Sequence, residues 1–437
     1  MSNIKKLLEG VEVEWKTLGE IAENVSSGGT PNTGVEAFYG GNIPWLRTQE
    51  VGNGDIWSTS IKITELGLKN SSAKIIPANC IIVAMYGATV GKVGVNKIPL
   101  CTNQACANVQ INAKIANYRY VYHFLLSQYK YIKSLGAGSQ TNINLKIVKS
   151  LLIPIPCPNN PKKSLEIQQE IVRILDSFSM LTAELQAELQ ARKSQYEYYR
   201  NQLLAYPMEE SDQSSLRSNR SATSIQNSDN SIQPLSTLNP PTGNSVLQPR
   251  GKVEWKVLEE VVEIKRGKRL IKNQLEKTGK YAVYQNCMIP LGYYHKNNVI
   301  ADTTFIISAG SAGEIGYSDV DFWAADDVYY FVTKNDLKSR FLYHFLITQQ
   351  QKIYSQVRRS SVPRLSKTAF EKLLIPIPSL EEQEHIVSIL DKFDALTTSL
   401  TEGLPKEIEL RQKQYEYYRN MLLSFPKNNI KLVWDKH

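Results

Sequence analysis

Histidine and cysteine are scarce in this 437-residue chain, with five of each. Five cysteines (Cys80, Cys101, Cys106, Cys157, Cys287) in so long a chain make no disulfide framework. Cys101 and Cys106 have no second pair and no nearby histidine, so a structural zinc site is not expected. Long apolar runs are also missing. The longest, Cys80–Val90, falls far short of the ~20 residues that span a bilayer. The opening MSNIKKLLEG has no apolar core, so no signal peptide is expected and a reducing cytoplasm is the natural compartment. Acidic residues are in deficit, 42 against 51 Lys and Arg, giving net charge +9. That balance suits a polyanionic partner, because cations that displace condensed counterions supply most sequence-independent DNA affinity.

Catalytic constellations are missing as well. GATVGKV (Gly87–Val93) has too few residues between its glycines for a phosphate loop, and Val93 stands where a hydroxyl would meet Mg²⁺. Its counterpart GSAGEIG (Gly310–Gly316) carries glutamate in place of the lysine; both read as turns. Asn239-Pro240-Pro241 lacks the aromatic of an adenine methyltransferase loop, since Thr242 follows. Glu14-Trp15-Lys16 and Glu254-Trp255-Lys256 have the end of a nuclease motif, but the first copy lacks a preceding acidic strand. His123 and His344 sit in matching YHFL segments, where packing is the default reading.

What is present is a duplication. VEWKTL (Val13–Leu18) returns as VEWKVL (Val253–Leu258), and VYHFLLSQYKYI (Val121–Ile132) as LYHFLITQQQKI (Leu342–Ile353). LLIPIP occurs at Leu151–Pro156 and Leu373–Pro378, and EIQQEIVRILDSF (Glu166–Phe178) matches EEQEHIVSILDKF (Glu381–Phe393). QYEYYRN is written at Gln195–Asn201 and again at Gln414–Asn420. Between these last two motifs the spacing of the copies changes from 215 to 219, close to one helical turn of about 3.6 residues. The constant parts keep their helical phase while the variable parts do not.

Each half is thus a variable module followed by a constant helix. Ile171, Ile174, Leu175, Phe178, Leu181, Leu185, Leu189, Tyr196, Tyr199 and Leu203 recur at spacings of 3, 4 and 7, a coiled-coil-like stripe. Antiparallel pairing of the two repeated helices is expected, with a kink at Gly403-Leu404-Pro405. The modules hold short β-rich runs punctuated by glycine, so the fold class is mixed α/β. The expected layout is module 1 (1–160), helix 1 (161–207), linker (208–250), module 2 (251–379), helix 2 (380–426) and tail (427–437). The linker, rich in Ser and Asn, buries too little to order itself.

Together, LLIPIP before Glu-x-Gln-x-x-Ile-Val-x-Ile-Leu-Asp and then QYEYYR, after each of two divergent modules, resembles the specificity subunit of Type I restriction-modification systems. SSGGTPNT (Ser26–Thr33), IPWLRTQEV (Ile43–Val51), KRGKRL (Lys265–Leu270) and SAGSAGEIG (Ser308–Gly316) are similar to that family's module landmarks. The resemblance implies two target recognition domains, each reading half of a split DNA site. It implies helices that act as a spacer and dock two DNA adenine methyltransferase subunits, with restriction subunits beyond them. It also implies that this chain is no enzyme and binds no cofactor, S-adenosylmethionine, ATP and Mg being held by partners. A self-contained DNA methyltransferase or nuclease, or a coiled-coil scaffold, are the competing readings.

Arginine matches guanine, Asn or Gln matches adenine, and lysine anchors phosphate. The candidate DNA-binding residues are therefore Arg47, Thr48, Gln49, Gln140 and Asn142 in module 1. In module 2 they are Lys265, Arg266, Lys268, Arg269, Arg358, Arg359 and Arg364. For each, a phosphate contact or a solvated side chain stands beside base reading. Tyr196, Tyr198, Tyr199, Arg200, Tyr415, Tyr417, Tyr418 and Arg419 are the candidate partner-binding set. Three tyrosines in four positions cover more than one helix face, so core packing accounts for only part of them.

Overall fold

The computed structural model describes residues 7–136, 142–207, 253–399 and 403–425. The linker 208–250, the tail 427–437 and Gln140 lie outside the described residues. The chain forms two compact units that do not follow chain order: Met1–Gln186 with Glu407–His437, and Ala187–Lys406.

In the first unit the repeated motifs meet each other. The VEWKT strand β1 (Val13–Thr17) pairs antiparallel with β10 (Leu152–Pro156), Trp15 opposite Pro154. The flanking bonds Leu18 N–H to Leu151 O (2.7 Å) and Cys157 N–H to Glu12 O (2.8 Å) fix the odd-numbered residues of β10 as its bonding side. Pro154 and Pro156, which have no N–H to give, alternate onto the free edge where none is needed. Between these ends lie β2 (Ala22–Ser27), β3 (Tyr39–Leu46), β4 (Gly54–Ile56), β5 (Ile61–Ile63), β6 (Ile81–Ala84), β7 (Val93–Asn96), β8 (Cys101–Thr102) and β9 (Cys106–Ile111). They make a five-stranded sheet, β2-β9-β6-β7-β4, and a three-stranded one, β5-β3-β8. Every residue of β6 is buried, which explains the unbroken apolar run. Helix α1 (Tyr118–Ser127), N-capped by Asn117, buries the YHFL segment against this sheet system.

The second unit repeats the plan with β11 (Glu254–Val257), β12 (Val262–Arg266), β13 (Tyr281–Tyr284), β14 (Gly292–Tyr294), β15 (Thr303–Ile307), β16 (Ile315–Ser318), β17 (Trp323–Ala324), β18 (Val328–Thr333) and β19 (Leu374–Ile377). β11 pairs with β19, Trp255 opposite Pro376. The main sheets run β12-β18-β15-β16 and β14-β13-β17.

Helix α2 (Pro161–Leu203) is a single run of 43 residues, ending four residues short of the expected 207. The second constant region is not one helix over 380–426 but two among the described residues. Helix α4 (Leu380–Thr398) follows α3 (Ser339–Ser355), and α5 (Gly403–Leu422) begins at the expected kink. Gly403 sits at φ +79°, and a Cβ there would stand 2.7 Å from Ala395 O, so no other residue fits without strain. Pro405 lies in the first turn of α5, where its missing N–H costs nothing.

The helices pair crosswise. In the first unit Ile167, Ile171 and Leu175 of α2 share a core with Tyr415, Leu422, Leu423 and Phe425, and Phe178 stacks on Tyr418. In the second, Tyr196, Leu203 and Leu204 share a core with Ile386 and Leu390 of α4, and Tyr199 stacks on Phe393. Early residues of one helix meet late residues of the other, as antiparallel partners do. None of the described helices is long and apolar enough to cross a membrane.

The same polar clamp closes both units. His123 Nε2 lies 2.7 Å from Asp176 Oδ1, and its Nδ1 lies 3.1 Å from the Tyr415 hydroxyl. His344 does the same with Asp391 (2.8 Å) and Tyr196 (3.2 Å). A carboxylate only accepts, so Nε2 carries the hydrogen; burial favours the neutral ring, whose Nδ1 then accepts from the tyrosine. Arg119 braces Asp176, and Arg340 braces Asp391. Gln168 and Gln383, both fully buried, accept from Asn117 N–H and Lys338 N–H at 2.8 Å and so cap α1 and α3. Each tyrosine comes from the other repeat's QYEYYRN.

Burial holds the pKa of both histidines below the ordinary value, against the pull of their aspartates. Burial pushes Asp176 up, but His123 and Arg119 outweigh it and leave it at about 2. Both kinds of group bind more protons unfolded than folded, so stability rises with pH and is lost as the pH is lowered. The loss is expected to begin below the ordinary histidine value of about 6.5 and to steepen below about 4. Urea midpoints across pH 7.5 to 3.5 check this, and H123N with H344N should remove the upper limb. Leu422→Ala, in the core of the first unit although coded by the second repeat, should cost about 2–5 kcal/mol in urea unfolding.

Candidate DNA-reading site

One end of each module is a cluster of loops tied together by four backbone hydrogen bonds. In module 1 Gly29 N–H bonds Thr102 O (2.9 Å), Asn103 N–H bonds Leu46 O (2.9 Å), Met85 N–H bonds Ala105 O (2.8 Å) and Ile143 N–H bonds Met85 O (3.0 Å). In module 2 the bonds are Lys268 to Ala324 (2.9 Å), Ala325 to Tyr284 (2.9 Å), Ser308 to Asp327 (2.7 Å) and Leu365 to Ser308 (2.8 Å). The two lists describe one frame. Strand β3 runs parallel to β8, as β13 does to β17, which starts the loops side by side. Gly28 and Gly267 hold equivalent places. A Cβ on either would stand 1.9 Å from Thr102 O or 2.1 Å from Ala325 O, so the loops could not close.

This frame aligns the modules residue by residue where their sequences do not. Arg47, Thr48 and Gln49 correspond to Gln285, Asn286 and Cys287; Gly29 and Thr30 to Lys268 and Arg269; Asn103 and Gln104 to Ala325 and Asp326. The backbone is constant and the letters differ.

The expected residues distribute unevenly. Arg266, the last residue of β12, and Lys268 and Arg269 in the loop after it are exposed, and Arg266 Nε donates to Asp326 O at 2.7 Å while its guanidinium lies over Tyr329. Arg358 and Arg364 exchange backbone hydrogen bonds (2.9 and 3.1 Å), so the exposed Arg358, Arg359 and Arg364 share a hairpin. That hairpin reaches the frame through a bridge from Arg364 to Ala309. Module 2 thus gathers both of its basic groups at one end. Lys265 lies a step away on β12, paired with Glu263 at 2.9 Å. In module 1 Asn142 accepts from Gly87 N–H at 3.4 Å, steadying the Gly87–Thr89 turn. Arg47 is committed within the protein: Nε to Glu50 (3.1 Å) and Nη2 to Ser60 (3.2 Å). Burial pushes the Glu50 carboxyl up, but hydrogen bonds from Ser60 and Arg47 outweigh it and hold its pKa below the ordinary range.

The frame sets Thr30, Gln104, Gln285, Asn286 and Asp326, which sequence reasoning did not single out, in the same loops as the expected residues. Thr30 hydrogen-bonds Gln104 across two loops, and Asn286 is exposed. The missing signal was the alignment of the two halves inside the modules, which only strand pairing supplies.

Of the helix residues, Tyr196 and Tyr415 are buried in the clamps. Tyr199 and Tyr418 stack on phenylalanines, and Arg200 and Arg419 lie over Tyr196 and Tyr415. Tyr198 and Tyr417 point outward, 48% and 58% exposed.

Among the described residues no group of three or more His, Cys, Asp or Glu side chains is placed to hold a metal ion. Burial pushes the Cys106 thiol to about 12 and Cys80 and Cys101 to about 11, far from nucleophilic at neutral pH.

Residues 10–192 and 251–410 match the family model described as Type I restriction modification DNA specificity domain. The chain is 31% identical to the Escherichia coli Type I restriction enzyme EcoR124I/EcoR124II specificity subunit over 98% of both chains. It is 30% identical to a putative Haemophilus influenzae type I specificity subunit, over 97% of this chain and 98% of that one. A Type-I restriction-modification S subunit from M. genitalium shares the fold at 19% identity, with a TM-score of 0.60 over 96% of this chain and 98% of that one. Duplicated modules, matching helices, a family match to both modules and a relative aligned over nearly the whole chain lead to one conclusion: this protein belongs to the Type I restriction-modification DNA specificity family.

Proposed function

We propose that the chain reads a split DNA sequence, module 1 one half and module 2 the other, and carries no chemistry itself. The observation that supports this most is the shared frame: two identical backbone platforms presenting different side chains are what two readers of different half-sites require. The exposed arginines at the end of module 2 supply both guanine-gripping forks and phosphate anchors. A self-contained enzyme would need a cofactor loop or a nucleophile, and none stands out in the sequence.

The constant helices would dock methyltransferase subunits. Tyr198 and Tyr417 support this reading: they occupy the same place in the two QYEYYRN copies, face outward, and offer two equivalent aromatic surfaces for two copies of one partner. S-adenosylmethionine would then sit in those subunits, and ATP and Mg in a restriction subunit. A solved structure concerned with complex assembly of the type I system, at a TM-score of 0.51, shares the fold.

Co-expression with the methyltransferase and mapping of methylated adenines tests the proposal. One split motif with a fixed gap is expected; a continuous or partner-independent motif would refute it. Tyr417→Ala should weaken capture of one of the two methyltransferase copies by roughly 10-fold, read as complex mass against protein concentration, while Tyr417→Phe should retain it.

A further inference from the structure

Resting on the reading of module 1 as a DNA reader, the geometry points to Gln49 as a guanine-reading residue, with Arg47 as the positioning residue that makes it so. Gln49 is exposed at the end of module 1, on the turn that follows β3. The residue before it is pinned: Thr48 Oγ1 donates to Ala105 O (3.4 Å) and Thr48 O accepts from Thr89 Oγ1 (2.8 Å). The Gln49 amide is held by its neighbour Arg47. Oriented as its neighbours demand, the Gln49 oxygen accepts from both terminal nitrogens of Arg47, each at 3.2 Å.

Arg47 cannot swing away to release it. Glu50 holds Arg47 Nε at 3.1 Å, and Ser60 holds Nη2 at 3.2 Å. Glu50 is itself fixed by the Ser60 N–H (2.8 Å) and hydroxyl (2.7 Å). Arg47 is therefore no guanine fork, although its residue type suggested one.

The consequence is chemical. A free glutamine amide offers one acceptor and two donors, and matches adenine by accepting from N6 and donating to N7. With both lone pairs of its oxygen taken by Arg47, Gln49 presents only N–H donors. The base edge with two adjacent acceptors in the major groove is guanine, through N7 and O6; adenine would set its N6 amine against the amide's own donors. In module 2 the equivalent position is Cys287, so the device belongs to module 1 alone.

The test uses the full-length chain with its methyltransferase, scoring methylation of every sequence variant of the wild-type site. In wild type, one position of the module 1 half-site is guanine. Gln49→Ala should cut discrimination at that position by roughly 10-fold or more. Gln49→Glu, which exchanges donors for acceptors, should abolish the guanine preference there. Arg47→Met frees the amide oxygen and should admit adenine at the same position. The half-site read by module 2 should stay unchanged in all three, and melting temperatures confirm folding. Uniform weakening across sequences would make Gln49 a phosphate contact and overturn the proposal. So would a changed position that is not guanine in wild type, or a Gln49→Glu protein with wild-type preference. A wild-type complex with no split motif would instead refute the reading of the modules themselves.

Discussion

A neutral histidine held between an aspartate of its own repeat and a tyrosine of the other is the contact on which the rest depends. Neither partner would be tolerated alone. A half-buried carboxylate without its histidine and arginine would lose the groups that hold it in place, and a buried imidazole without a proton donor would leave Nδ1 unsatisfied. Satisfied together, the groups allow only one placement of the tyrosine. That placement sets which turn of the opposite helix packs against each module. The surrounding leucines and isoleucines supply the free energy of burial, and the polar clamp chooses among the registers that burial alone would permit.

Constancy and variation are divided by depth. The strand pair of VEWK with LLIPIP, the buried glutamine caps and the clamps form a shell repeated nearly residue for residue. At the far end, four backbone bonds and one close-approach glycine build a platform whose shape needs no particular side chain. Sequence can therefore change at the loops without cost to the fold. Basic hairpins in one module and an amide-bearing turn in the other rest on the same support.

Much of this was legible in the sequence. The duplication, the helix stripe and the break at Gly403 follow from period, spacing and the limits of proline. Paired tyrosines on two faces foretold that only some would be buried, but not that Tyr196 and Tyr415 would meet histidines almost 150 and 300 residues away in the chain. The sequence named both members of each contact without joining them, because a long-range hydrogen bond leaves no periodic trace. The internal partners of Arg47 were hidden for a related reason. Its residue type speaks for guanine, while its use is decided by Glu50 and Ser60, which composition cannot weigh. The correspondence of Gln285 and Asn286 with Arg47 and Thr48 was hidden because the modules diverge wherever the backbone alone carries the structure.

The crosswise completion of the units also sets an order of assembly. The first module's core includes Phe425, so it stays open while nearly the whole chain is still being made. A chain cut short before Tyr415 leaves His123 Nδ1 without its tyrosine, and the apolar residues of the first helix without the late residues of the second. An early stop thus leaves the first module with an incomplete core and apolar surface turned to water.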